Sequence, residues 1–198
     1  MRKIIYLLLV LALMMSCVSS FIACDMLPFN KDESSDETPD ETPAETPDTE
    51  PDTAPECPEG YKLYESERIS FAYPENWIKQ DGSVVILMNS VTGNNITVVY
   101  EAKTTMYDNM TVSSFNEMFA PAFQASGMTA NNVQITQTTA NGLKIIKITY
   151  DATVSGVSMS QTLLITNIGD RTYSVSVTEV VKDSELVNTV LETIKAKN

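Results

Sequence analysis

Residues 133–150, VQITQTTANGLKIIKITY, contain the pattern that determines the fold. Asn141-Gly142 separates the runs VQITQTT and LKIIKITY, and this dipeptide favours the two-residue turn of a β-hairpin. In the second run Ile146, Ile148 and Tyr150 recur with period two, as in a strand with one buried face. The stretch therefore predicts two antiparallel strands joined by a tight turn.

The same alternation occurs in two other runs. One side of NITVVY carries Ile96, Val98 and Tyr100, and one side of TYSVSVT carries Tyr173, Val175 and Val177. Both runs are expected to be strands that bury this side. The Ser-Gly pair at 155–156 and the Gly-Asp pair at 169–170 indicate two more turns. Four consecutive strands joined by tight turns must pair antiparallel.

The segment SSFNEMFAPAFQAS, residues 113–126, predicts a helix. Ser114 and Glu117 have the spacing of a capping box at its start. Pro121 is expected to bend or break it, because proline removes a backbone donor inside a helix. Its apolar face consists of Phe115, Met118, Phe119, Ala122 and Phe123.

A second helix is predicted in DSELVNTVLETIKAK, residues 183–197. Asp183 is the expected N-cap, and Lys195 and Lys197 suit the negative end of the helix dipole. Its apolar side consists of Leu186, Val187, Val190, Leu191 and Ile194. With three strands before the first helix and four between the helices, residues 61–198 are predicted to form an α+β domain. An antiparallel sheet of six to seven strands is expected to be sandwiched by helices.

The N-terminus has the layout of a signal peptide. Arg2 and Lys3 precede an apolar run over residues 4–15, which is too short to span a bilayer. Cys24 and Cys17 each follow a small residue and resemble the lipid-accepting cysteine of a bacterial lipoprotein. Cys24 is preferred because the polar sequence begins directly after it. This predicts a signal peptide at 1–23 and a diacylglyceryl group on Cys24. The alternatives are Cys17, an ordinary secretory signal and an uncleaved anchor.

Residues 24–60 are predicted to be a disordered linker rich in threonine and proline. Prolines recur every fourth residue from Pro39 to Pro55, and eleven acidic residues but one lysine lie between residues 31 and 56. Proline blocks helix, and the carboxylates repel one another. A calcium loop is excluded because the required ligand spacing and glycine are missing there. Residues 31–56 hold 10 of the 13 net negative charges, and a basic stripe for nucleic acid is absent from the chain.

The run from Ile69 to Trp77, ISFAYPENW, resembles a motif of the PsbP-like family, in which a short strand leads into Tyr-Pro-x-x-Trp. The two predicted helices and the Asn141-Gly142 hairpin also match the order of elements in this family, so the resemblance extends over residues 61–198. It implies the Mog/PsbP fold, which is shared by many small bacterial lipoproteins, DcrB-like ones among them. Plant members use histidine to bind metal. This chain has no histidine, so no metal site carries over.

Two aromatic residues of that motif are candidate site residues. Tyr73 and Trp77 are interpreted either as core side chains or as a ligand-facing aromatic platform. A free thiol is left at Cys57, where no neighbouring positive charge would activate it. If Cys17 carried the lipid, Cys24 would be free to pair with Cys57.

Catalytic chemistry has few candidate groups in this sequence. The lack of histidine excludes Ser-His and Cys-His pairs. A hydrolase that uses carboxylates is left open, because Glu75, Asp81, Glu101 or Asp108 could meet in the fold. No catalytic residue, metal site or cofactor is predicted.

The sequence thus favours a non-catalytic binding or accessory module, anchored by lipid to the extracytoplasmic face of the cell membrane. Its partner is expected to be a protein or wall component of the cell envelope rather than nucleic acid. The hydrolase and a structural surface tether are the alternatives.

Overall fold

A computed structural model describes residues 57–82 and 84–197. The predicted signal peptide at 1–23, Cys17, Cys24 and the linker up to residue 56 lie outside the described residues. No helix within the described ranges is long and apolar enough to cross a membrane.

The described domain contains ten strands and two helices. In chain order these are β1 (Tyr61–Glu65), β2 (Ile69–Pro74), β3 (Ile78–Gln80), β4 (Val85–Met88), β5 (Asn95–Ala102), α1 (Val112–Ala125), β6 (Met128–Ala140), β7 (Leu143–Val154), β8 (Val157–Ile168), β9 (Arg171–Glu179), α2 (Leu186–Thr193) and β10 (Lys195–Ala196). The predicted order of three strands before the first helix is wrong, since five precede it and a short strand follows the second.

The strands form two antiparallel sheets. The larger has seven strands in the order β3-β4-β5-β9-β8-β7-β6, and the smaller has three in the order β1-β2-β10. The α+β class and the antiparallel sheet of up to seven strands are therefore confirmed. The predicted hairpin is present, with Ala140 opposite Leu143 and positive φ angles of 48° at Asn141 and 76° at Gly142. Such a pair of angles defines a type I′ turn.

The seven-stranded sheet separates two hydrophobic clusters. Alternation along β7 sends Ile145 to the first cluster and Ile146, Ile148 and Tyr150 to the second. The first cluster also contains α2 and the small sheet, and the second contains α1. A helix thus packs against each side of the sheet, as the sandwich prediction requires.

Tyr100 departs from its predicted burial. Ile96 and Val98 are buried, but Tyr100 is 61% exposed although it points to the same side of β5. The Arg171 guanidinium lies 4.4 Å from the centre of its ring, and the Tyr173 ring lies 5.6 Å away. The strand pattern identified the side correctly, but the first cluster does not extend over this end of the sheet.

Strand β9 is buried more completely than its alternation predicts. Val175 and Val177 are fully buried, and Ser176 and Thr178 on the other side are also buried. The Gln161 side chain of β8 donates a hydrogen bond of 2.9 Å to the Thr178 hydroxyl. Because β9 lies near the middle of the sheet, both of its sides are buried, and its small polar residues fill the second side.

The cap of α1 lies three residues earlier than predicted. Thr111, not Ser114, is the N-cap, and Ser114 occupies the third helical position predicted for Glu117. Ser114 N–H donates to the Thr111 hydroxyl at 3.2 Å, and Thr111 N–H donates to the Ser114 hydroxyl at 2.9 Å. The sequence motif was misplaced because a serine can take the glutamate role in this box.

Pro121 does not break α1, which runs through it to Ala125. Proline costs a helical hydrogen bond, but aromatic packing against the sheet holds this helix. The Phe115 ring lies 4.5 Å from Phe119 and 5.5 Å from Tyr150, measured between centres. This tertiary packing outweighs the local preference of proline.

Helix α2 is shorter than predicted. The Asp183 carboxylate accepts hydrogen bonds from the backbone of Glu185 and Leu186, although the regular helix begins only at Leu186. Lys195 and Lys197 do not belong to its C-terminal turn. Lys195 pairs with Ser70 in the small sheet, and Lys197 lies 3.0 Å from the Glu65 carboxylate. The chain leaves the helix to add a strand to β2.

Thr111→Ala should destabilise the domain by about 1 kcal/mol, because it removes the acceptor for the Ser114 backbone N–H. Denaturant unfolding of the variant and the wild-type protein measures this. Ser113→Ala is the control, since Ser113 is exposed and lies one position inside the helix. A midpoint for Thr111→Ala no lower than that of the control would contradict the capping role.

Two buried phenols should make the domain sensitive to alkali. Burial raises the pKa of Tyr150 above its ordinary value of 10.0, and burial followed by the nearby Glu101 carboxylate raises the pKa of Tyr107. The unfolded chain releases these protons near pH 10 while the folded chain keeps them. Their contribution to stability is therefore complete below about pH 10 and is lost as the pH rises above it.

In the double variant Tyr107→Phe with Tyr150→Phe, we expect the free energy of unfolding to fall less than in wild type between about pH 9 and about pH 11.5. Urea unfolding at a series of pH values measures the slope of the free energy of unfolding against pH. The exposed Tyr100, changed to Phe, is the control and should leave the slope as in wild type. Equal slopes in all three proteins would exclude the buried phenols as the cause.

Candidate functional site

An exposed polar surface covers one end of the seven-stranded sheet, on the side of the first hydrophobic cluster. Ten side chains of three strands share it, and we call it the polar face. It consists of Thr129, Asn131, Gln134 and Thr136 on β6, Lys147, Thr149, Asp151 and Thr153 on β7, and Ser158 and Ser160 on β8.

Strand register brings these side chains into rows. Thr136 lies opposite Lys147, and Gln134 lies opposite Thr149. A further row runs from Asn131 through Asp151 to Ser160. Directly opposite residues of an antiparallel pair project to the same face, and neighbouring strands are about 4.8 Å apart. The polar face is thus a regular array of hydroxyl, amide and charged groups.

The polar face is open to solvent. Each of its ten side chains is exposed or half-buried. The apolar residues on the same side, such as Ile145 and Leu164, begin where α2 and the small sheet cover the sheet. The boundary between cluster and polar face therefore crosses β7 between Ile145 and Lys147.

A bulge in β6 shapes one corner of the polar face. The register with β7 shifts between Asn131 and Gln134, and Asn132 has a φ of 55°. The Asn132 amide donates a hydrogen bond of 2.6 Å to the Asp151 carboxylate. This bond orients one of the two charged side chains of the polar face, while Lys147 provides the other.

The chemistry of the polar face suits a ligand rich in hydroxyl groups. Hydroxyl and amide side chains both donate and accept hydrogen bonds. Each bond formed in exchange for water contributes only about 0.5–1.5 kcal/mol, and the surface has no walls that would exclude water. Useful affinity must therefore come from many contacts along an extended ligand.

A groove lies on the opposite side of the sheet, between α1 and the first residues of β6. Its volume is about 380 Å³, and its lining includes Ala120, Phe123, Met128 and Ala130. It is shallow and mostly apolar. No titratable side chain lines it.

Tyr73 and Trp77 lie away from the polar face. Both are buried in the first cluster, each with 4% of its surface exposed. The Lys62 ammonium lies 5.1 Å from the centre of the Tyr73 ring and donates to the Trp77 backbone carbonyl at 3.2 Å. Their positions are those of core side chains that close the turn after β2.

The candidate carboxylates are placed on separate segments. Glu75 is exposed in the turn after β2, and Asp81 pairs with Lys79 at 3.0 Å. Glu101 accepts a hydrogen bond of 3.0 Å from the buried Tyr107 hydroxyl, and Asp108 is the next residue along the chain after that tyrosine. Within residues 57–82 and 84–197, no cluster of three acidic or cysteine side chains could hold a metal ion.

The sequence pattern did not single out the polar face. Its residues are those that alternate with the apolar ones in β6, β7 and β8, so the signal is present in the same period-two pattern. Alternation shows that these residues share a side. It does not show that this side is left uncovered at one end.

The sequence matches no protein-family model and no curated protein. Among solved structures, the chain is similar to the cyanobacterial PsbP protein CyanoP from Synechocystis. The TM-score is 0.56 at 14% identity, over 73% of this chain and 96% of that one.

Weaker likenesses exist to two other bacterial proteins. A Bacteroides thetaiotaomicron protein has a TM-score of 0.45 at 16% identity, over 66% of this chain and 45% of that one. LpqN of Mycobacterium tuberculosis, which is involved in cell envelope biogenesis, has a TM-score of 0.38 at 10% identity, over 66% of this chain and 83% of that one. The likeness to CyanoP shows the fold: the domain has the PsbP-like fold that the motif from Ile69 to Trp77 indicates.

Proposed function

We propose that this protein is a non-catalytic binding module, held by lipid on Cys24 at the extracytoplasmic face of the cell membrane. Its polar face contacts a polysaccharide of the cell envelope. The observation that carries the proposal is the open array of hydroxyl and amide side chains on three adjacent strands.

The composition of the polar face supports a neutral, hydroxyl-rich ligand. Eight of its ten side chains are uncharged, and the two charges have opposite sign. A polyanion such as nucleic acid needs several cationic contacts, of which the polar face offers only Lys147. A polysaccharide can bond to successive rows of side chains without any charge pairing.

The N-terminal sequence supports attachment to the membrane. One acyl chain gives only marginal membrane binding, whereas the two chains of a diacylglyceryl cysteine give stable attachment. Residues 25–56 could extend the domain as far as roughly 100 Å from that anchor, at about 3.1 Å per residue. Such a reach allows the polar face to contact envelope polymers that lie above the membrane.

Cys24→Ala should release the protein from the membrane fraction and abolish labelling with radioactive palmitate. Cys17→Ala is the matched control and should leave both unchanged, since residue 17 is removed with the signal peptide. Labelling that is lost in Cys17→Ala but kept in Cys24→Ala would show that Cys17, not Cys24, carries the lipid. Labelling kept in both variants would refute the lipoprotein proposal.

The polysaccharide proposal is tested with a chain that begins at Asp25 and is sedimented with insoluble envelope polysaccharide. Thr136→Val, Thr149→Val and Thr153→Val together remove three hydroxyls while keeping the shape and strand preference of the side chains. Binding should weaken at least tenfold, because three hydrogen bonds of about 0.5–1.5 kcal/mol each are lost. Thr139→Val, on the opposite side of β6, is the control and should bind as wild type.

Three results would contradict the proposal. Equal sedimentation of the triple variant and the control would exclude the polar face as the contact surface. Release of soluble sugar from the polysaccharide, lost in Glu101→Gln, would favour the hydrolase. Attachment that depends only on the anchor and linker, with no ligand for the domain, would favour the structural tether.

A further inference from the structure

Strand β6 forms one edge of the seven-stranded sheet and is its longest strand, with 13 residues. It pairs with β7 on one side only. Within residues 57–82 and 84–197, no loop donates a backbone hydrogen bond to β6 or accepts one from it. A long row of backbone donors and acceptors is therefore available for another strand.

The sequence of this edge lacks most of the usual protection against pairing. Natural edge strands are kept apart by short length, proline, β-bulges or charged side chains, lysine above all, and β6 has only a bulge near its start. The opposite edge, β3, follows this rule, since it has three residues and contains Lys79. In the small sheet, β1 contains Lys62 and Glu65. From Met128 to Ala140 there is neither a charged residue nor a proline.

The turn geometry shows which backbone groups face outward. In a two-residue type I′ hairpin the closing pair, here Ala140 and Leu143, is hydrogen-bonded. Because pairs alternate along an antiparallel ladder, the backbone groups of Ile135, Gln137 and Thr139 point away from β7. The bulge between Asn131 and Gln134 interrupts this order. The regular outward edge is therefore residues 134–140, with Gln137 at its centre.

We propose that a second copy of this chain pairs with this edge. The two β6 strands run antiparallel about a two-fold axis near Gln137, which joins two seven-stranded sheets into one. A two-fold contact requires a surface that is complementary to itself. Antiparallel pairing meets this requirement because each outward Gln137 and its counterpart exchange the same N–H and C=O groups. The absence of charge on β6 removes the like-charge repulsion that would oppose pairing of two identical strands.

The other sources of a pairing strand fit this edge less well. The linker of this chain has a proline at every fourth residue from Pro39 to Pro55 and is strongly acidic. Proline cannot donate to a ladder, and a segment with this spacing cannot complete one. The remaining edges of the domain are short or charged. Among the edge strands of the described residues, β6 alone is both long and uncharged.

The joined sheet has a consequence for the polar face. The axis is perpendicular to the sheet, so both copies direct their polar faces to the same side. Residues 134 and 136 of the two copies then lie on either side of the new strand pair. The proposal stands on the edge strand alone, but it would double the surface that a polysaccharide can contact and add avidity.

The dimer is expected to be weak in dilute solution. Seven paired residues span about 24 Å, and an interface of one strand pair is smaller than the roughly 800 Å² per partner of a standard complex. Attachment to one membrane raises the local concentration of the two copies. The test is therefore made with the full anchored chain in membranes.

Gln137→Cys, in a chain that also carries Cys57→Ser, should be joined to a second copy by a short thiol cross-linker. The matched control is Gln80→Cys, which places an exposed cysteine at the opposite edge of the same sheet. We expect at least fivefold more covalent dimer from Gln137→Cys than from Gln80→Cys. Equal yields from the two variants would overturn the proposal, because they would reflect random collision.

A charge exchange at the same residue tests the pairing without cross-linking. Gln137→Lys and Gln137→Glu should each be monomeric in membranes at a surface density where wild type dimerises, as measured by energy transfer between labelled copies, and a mixture of the two should recover the dimer. Gln137→Ala is the control for the hydrogen bond of 2.8 Å from Gln137 to the Asp108 carbonyl, and it should still dimerise. Loss of the dimer in Gln137→Ala, or a mixture that stays monomeric, would overturn β6 pairing.

The outcome is separable from that of the proposed function. The Gln137 side chain lies on the side of the sheet opposite the polar face, opposite Ile146 of the second cluster. A monomeric Gln137→Lys chain should therefore keep the binding of a single domain to polysaccharide and lose only avidity. A wild-type chain that binds polysaccharide but does not dimerise would refute the dimer alone. A wild-type chain that dimerises but does not bind polysaccharide would refute the polysaccharide proposal alone.

Discussion

The register of the β6–β7 hairpin is the constraint on which the rest of this domain depends. The type I′ turn at Asn141-Gly142 sets Ala140 opposite Leu143, and every pair follows from it as far as Gln134 opposite Thr149, where a bulge shifts the register. A slip of one residue in a strand moves all of its side chains to the other face of the sheet. Such a slip in β7 would place Lys147 and Asp151 in the core and Ile146 in water. The turn therefore determines the buried side of the hairpin, the outward edge at residues 134–140 and the part of the polar face that lies before the bulge.

The sequence predicts the register of the β6–β7 hairpin better than it predicts which elements cover the sheet. The hairpin, the side of Ile96 and Val98, and the antiparallel order of the last four long strands are all readable from alternation. The exposure of Tyr100 and the burial of Ser176 are not, because each depends on how far the packed elements extend over its own side of the sheet: α2 and the small sheet over Tyr100, the second cluster over Ser176. The small sheet itself brings the first and last strands together across more than 100 residues, and no local pattern records such a pairing.

The candidate site was not predicted because it too depends on how strands align rather than on a local pattern. A search for catalytic motifs looks for rare residue types at fixed spacing, and the polar face has neither. Its threonines, serines and amides are common residues that become a surface only when three strands align in register. The motif that was recognised, from Ile69 to Trp77, has its aromatic side chains buried. It therefore identifies the fold and gives no information about a ligand.

The net charge is distributed unevenly along the chain. Most of the net negative charge lies between residues 31 and 56, so the domain that follows is nearly neutral. A nearly neutral domain can keep an uncharged edge strand and a weakly charged binding surface without strong repulsion between copies. Net charge far from zero favours solubility, and residues 31–56 supply most of this charge. Since an open surface cannot exclude water, each contact on it stays weak, and tight attachment requires several copies acting together. The proposed lipid anchor and an uncharged edge strand would both favour such clustering, which makes them physically consistent with an open polar face.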